Sequence, residues 1–67
     1  MDLINNPAVL KASEIFVKLK EKGLVVNEND IQIAAAAMIS NSKLYTKDRD
    51  FLNIKKCFPN FKVQLVD

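Results

Sequence analysis

From Ile31 to Ile39 the chain offers a helix-length segment in which Gln32 is the one polar residue among Ile, Ala and Met. A surface helix shows a polar face opposite its apolar one, and this segment has hardly any. It is therefore expected to be buried nearly all round, with the consecutive alanines Ala34 to Ala37 allowing close approach of neighbouring elements. Asn27, Glu28, Asn29 and Asp30 precede it. Acids fit a helix start, where unpaired N–H groups and the macrodipole favour negative charge. Ser40-Asn41-Ser42 ends it, Asn41 being the residue most able to take a left-handed turn.

A chain of 67 residues has little material to enclose such a helix. One small core seldom stabilises a domain of this size by more than about 3–5 kcal/mol. The single cysteine, Cys57, excludes an internal disulfide, and with no histidine a structural zinc site within one chain is excluded too. The 49% apolar and 27% charged content is that of one folded domain spanning 1–67, without repeats or linkers. A net charge of +2 is too small to imply nucleic acid by itself. The expectation is a domain that is stable only when its second helix and its strands are covered, by a second copy or by a partner chain.

Missing residue types narrow the chemistry. Without histidine there is no Ser-His-Asp or Cys-His nucleophile system. Cys57, between Lys56 and Phe58, reads as a plain, partly buried thiol. Gly23 is the only glycine, so no glycine-rich phosphate loop is possible. Carboxylate chemistry remains, most naturally with a hard divalent cation. The longest apolar run, Ile33 to Ile39, falls far short of a membrane span. The start, Met1-Asp2-Leu3-Ile4-Asn5-Asn6, lacks a signal-peptide layout, so a cytoplasmic location is expected.

Along the chain, Asn6 and Pro7 open a first helix as N-cap and first helical residue. Val9, Ala12, Phe16 and Leu19, widened by Ile15, form its expected buried stripe. Glu14 and Lys18 are spaced for an ion pair, and Gly23 is placed to end the helix, with Leu24 folding back. Lys43-Leu44-Tyr45-Thr46 reads as a short strand, Lys47 to Asp50 as a polar turn and Phe51-Leu52-Asn53-Ile54 as a short helical turn. After a turn at Phe58-Pro59-Asn60, Phe61, Val63 and Leu65 alternate with Lys62 and Gln64 as a strand with one apolar face. The order helix, helix, strand, short helix, strand suggests an α/β arrangement with parallel strands.

One carboxylate, Asp30, thus stands at the start of the apolar helix and another, Asp48, just beyond the C-terminal end of a strand. Ligands of open α/β sheets collect at that end. Carboxylates converging there repel one another unless a cation sits between them. The same residues have a plainer role. Asp30 would serve as a helix-start carboxylate, and Asp48 and Asp50 as caps of the turn at Phe51.

Two segments together resemble the C-terminal half of PIN domains, including VapC-type toxin ribonucleases. They are Asp30-Ile31-Gln32-Ile33-Ala34-Ala35-Ala36-Ala37 and Thr46-Lys47-Asp48-Arg49-Asp50-Phe51, similar to the family's "D-x-x-I-A-A-x-A" and "T-x-D-x-D-F" in the same order. The resemblance covers roughly residues 8–66 and implies a truncated, Rossmann-like PIN half-domain. It implies a ribonuclease site with Asp30, Asp48 and Asp50 as ligands of Mg²⁺ or Mn²⁺, and Thr46 orienting water or the acidic cluster. Lys47 and Arg49 would touch RNA phosphates. By that resemblance a first aspartate, on a strand, and a glutamate, on a helix, are lacking. Asp2 and Glu14 are not substitutes for them, and the isolated chain is expected to be inactive. Two functions follow. One is a metal-dependent endoribonuclease, the toxin of a toxin–antitoxin pair, whose remaining acids come from a complementing N-terminal half. The other is a non-catalytic remnant that serves as an interaction or oligomerisation module. RNA, an antitoxin and a second copy are the implied partners.

Overall fold

The computed structural model of the chain describes residues 6–66, so Asp2 and the rest of the first five residues lie outside it. Three helices and two strands follow in the order α1 (Pro7–Glu21), α2 (Glu28–Ile39), β1 (Leu44–Thr46), α3 (Asp50–Cys57), β2 (Val63–Leu65). The strands pair in parallel, Leu44 opposite Val63 and Thr46 opposite Leu65. Leu44 N–H donates to the Lys62 carbonyl at 2.9 Å and Val66 N–H to that of Thr46 at 2.9 Å. A parallel pair needs a crossover, and α3 supplies it. This is the small α/β fold with parallel strands that the sequence suggests.

Local chemistry fixes the helix ends. The Asn6 side chain accepts from the N–H of Ala8 at 2.9 Å, and Pro7 follows as the first helical residue. Gly23 takes φ 71°; its N–H donates to the Lys20 carbonyl and that of Leu24 to the Leu19 carbonyl, closing a Schellman motif. The same motif closes α2. Asn41 takes φ 54°, and the N–H groups of Asn41 and Ser42 donate to the carbonyls of Met38 and Ala37. Asn27 opens α2, its side chain accepting from Asn29 N–H at 2.8 Å.

Ile15, Leu19, Ile31, Ala34, Ala35, Phe51, Ile54 and Phe61 are the buried residues. They come from all three helices and the approach to β2, and Leu44 and Val63 pack against them from the sheet. The sheet turns Leu44, Thr46, Val63 and Leu65 inward and leaves Tyr45 and Gln64 exposed. Among the described residues no buried side-chain N or O lacks a partner.

Four expectations need correction. α2 is not buried all round: only Ile31, Ala34 and Ala35 are buried, while Ile33 and Ile39 remain 47% and 45% exposed. α1 and α3 reach one side of it, and its composition outruns the cover the described chain provides. On α1, Ile15 and Leu19 are buried with Ala12 packed beside them, but Val9 and Phe16 are 42% and 55% exposed. Apolar spacing marked an arc wider than the contact with α2 and α3. The helical turn at Phe51–Ile54 is a full eight-residue helix, because Phe51 and Ile54 continue through half-buried Cys57 and Phe58 as one stripe. Lys55 then fastens the loop behind it, donating to the carbonyls of Pro59 and Phe61 at 3.2 and 2.8 Å. Glu14 pairs with Lys11 at 3.1 Å instead of with Lys18.

Candidate metal centre

The polar turn after β1 is organised by its own side chains. Thr46, half-buried at the end of the strand, accepts the N–H of Asp48 on its hydroxyl at 3.1 Å. Asp48 in turn accepts the N–H of Asp50 on one carboxylate oxygen at 2.9 Å. Such local bonds give the chain a fixed bend between strand and helix. Asp50 then begins α3, where its charge suits the helix start.

Opposite this turn stands Asp30, half-buried in the first turn of α2. One carboxylate oxygen from each of Asp30, Asp48 and Asp50 lies within 4.8 Å of the others. Burial, the negative charges of Asp48 and Asp50, and hydrogen bonding to Asp48 push the Asp30 carboxyl above its usual pKa. Each cause disfavours a third negative charge in the cluster.

The donor set fits a hard divalent cation. Such ions take carboxylate oxygens, and opposite ligands of Mg²⁺ stand about 4 Å apart. Three ligands cannot all be opposite one another, and neighbouring ones stand about 3 Å apart, so carboxylate rotation must draw the oxygens together by up to about 2 Å to bring all three into range. The ion would also offset the repulsion that, together with the larger effect of burial, raises the Asp30 pKa.

The structure thus brings Asp30, Asp48 and Asp50 together and places Thr46 behind them as the anchor of Asp48 through its backbone. Thr46 makes no hydrogen bond to Asp30 or Asp50 among the described residues. Lys47 and Arg49 alternate with the acids on the same turn, exposed and without an ion pair among the described residues. Glu14 is tied to Lys11 on α1 and takes no part. No acid outside those the sequence singles out joins the cluster among the described residues. What spacing alone missed is elsewhere: Val9, Phe16 and Val17, with Val26 and Ile31, line an open groove beside α1. The wide apolar arc of α1 was the available signal.

No curated protein and no solved structure matches the chain. The family model for the PIN domain matches residues 1–56, which takes in α1, α2, β1, the acidic turn and most of α3. PIN domains are nuclease-like, and the nucleases among them generally depend on a divalent metal. With that match over most of its length, the chain belongs to the PIN domain family.

Proposed function

We propose that the chain carries part of a divalent-metal endoribonuclease site, of the kind used by toxins of toxin–antitoxin pairs. The observation that supports it is the convergence of Asp30, Asp48 and Asp50 within 4.8 Å at the C-terminal end of β1. That is where an α/β sheet presents its ligands. Asp30, Asp48 and Asp50 hold Mg²⁺ or Mn²⁺, and Thr46 keeps Asp48 in place through its N–H. When bound, such an ion supplies an acidified water and neutralises phosphate charge. Lys47 and Arg49 position the RNA backbone by contacting phosphates on either side of Asp48. Further acids come from outside residues 1–67, whether on a complementing polypeptide or on more of the same one, so these residues by themselves cleave little or nothing.

The test is cleavage of RNA in Mn²⁺ by the chain alone, by the chain with its genomic neighbour, and by Asp30→Asn in the same mixtures. Activity that needs both the neighbour and Asp30 is the expected result. Cleavage that Asp30→Asn leaves unchanged discards the site. If no mixture cleaves while the chain still binds its neighbour, the non-catalytic interaction module is the function.

A further inference from the structure

The two strands present a second face that the core does not use. Parallel strands buried on both faces read as nearly continuous apolar runs. Here Leu44, Thr46, Val63 and Leu65 turn inward, and polar residues alternate with them on the outside. Tyr45 stands there 63% exposed, with Gln64 directly opposite it in register. Lys43 reaches over the Tyr45 ring, 5.5 Å from its centre. Lys62, exposed between buried Phe61 and half-buried Val63, adds a second cation on the same side. No acid alternates with them among the described residues of either strand, and neither lysine has an ion pair among the described residues. A basic, solvated sheet face built around one exposed aromatic ring suits an anion that carries flat rings.

We propose that this outer face binds single-stranded RNA, with a base stacked on Tyr45 and with Lys43 and Lys62 against the flanking phosphates. The choice of RNA rests on the acidic cluster being part of a ribonuclease site, although the face shares no residue with that cluster. Stacking on an aromatic side chain tolerates any base, because every base has a π-face. It also demands an unpaired strand, since the bases of a duplex are already stacked on one another. Gln64 spends one amide hydrogen on the Leu65 carbonyl at 3.1 Å and keeps its oxygen for the N–H of a base. β1 runs from the Lys43 end to the acidic turn, and at most about 11 Å of chain separates Tyr45 from Asp48. RNA laid along β1 over this face is thus led to the carboxylates. Two lysines give few phosphate contacts, so binding is weak and loses about 0.7 in log K per log unit of salt for each phosphate neutralised.

Tyr45 is the sole tyrosine and the chain has no tryptophan, so intrinsic fluorescence reports on that ring alone. The full chain is titrated with an unstructured oligouridine in EDTA, where metal-dependent cleavage does not intervene, and free tyrosine amide corrects for absorption by the RNA. Quenching that saturates, and that an RNA duplex of the same length does not produce, is the expected result. By anisotropy of labelled oligouridine, Tyr45→Thr, which keeps a strand-forming residue, should weaken binding about tenfold. Tyr45→Phe should bind as the unaltered chain does. Lys43→Gln should weaken binding more than Lys18→Gln, on the exposed side of α1. Should Tyr45→Thr fail to fold, quenching in the unaltered chain decides the matter. RNA that binds without quenching, or that is as sensitive to Lys18→Gln as to Lys43→Gln, overturns the proposal. So does the absence of binding, which leaves the face to a covering protein layer. Such a failure leaves cleavage at the acidic cluster untouched, whereas a chain that stacks RNA and never cleaves it counts against that cluster alone.

Discussion

Asp30 is the residue whose ionisation the fold disfavours. Its folded pKa is raised, so the folded state binds more protons than the unfolded state between the ordinary value of 3.8 and the raised value. In that window stability falls as pH rises, and the penalty is fully present above the raised pKa. Without divalent cation, Asp30→Asn should therefore raise the Tm at neutral pH and flatten its dependence on pH through and just above the ordinary carboxylate range. A Tm lowered by the substitution would contradict the repulsion. Asp48 has two duties, accepting the Asp50 N–H and facing the cluster. Asp48→Asn keeps the acceptor and removes a charge that disfavours ionised Asp30, so metal-free stability should hold or rise slightly, whereas Asp48→Ala should be about 1 kcal/mol less stable than Asp48→Asn, the value of a lost cap. Chemical denaturation of the two variants separates them, and equal stabilities would show that the turn does not depend on that bond.

At the scale of elements, the helix ends were legible because capping is local. Asn6, Gly23, Asn27 and Asn41 act on carbonyls and N–H groups within a few residues. Gly23 holds φ 71° with nothing within 4 Å of where a Cβ would stand. Gly23→Ala should thus cost about 1 kcal/mol from backbone strain alone, a fall in Tm of about 4–8 °C in a domain this small. No change in Tm would mean that the turn relaxes. Ile54, fully buried, makes the opposite case. Ile54→Ala should cost about 2–5 kcal/mol and leave the chain largely unfolded by circular dichroism. Burial was legible only in part. Periodicity shows which residues share a face of α1 or α2, but not how much of that face a neighbour covers. Hence Phe16 and Ile33, apolar by pattern, stand half in solvent.

Across the whole molecule, the order of elements and the parallel pairing followed from the sequence because a strand, a helix and a strand leave few ways to connect. The meeting of α2 with the β1–α3 turn is different in kind. Asp30 and Asp48 are far apart in the chain, and only the packing of α2 against α3, which follows the acidic turn, brings them together. Their pairing was suggested by resemblance to the PIN family, whose model indeed matches residues 1–56. The central claim is that this packing builds one cation site. Its most direct measurement is the paramagnetic broadening of backbone amide resonances on adding Mn²⁺ to the labelled full chain. Broadening centred on Asp30 and on Lys47 to Asp50, competed by Mg²⁺ and lost in Asp48→Asn, is the predicted result. Broadening that is spread evenly over the surface carboxylates, or that persists unchanged in Asp48→Asn, would contradict it.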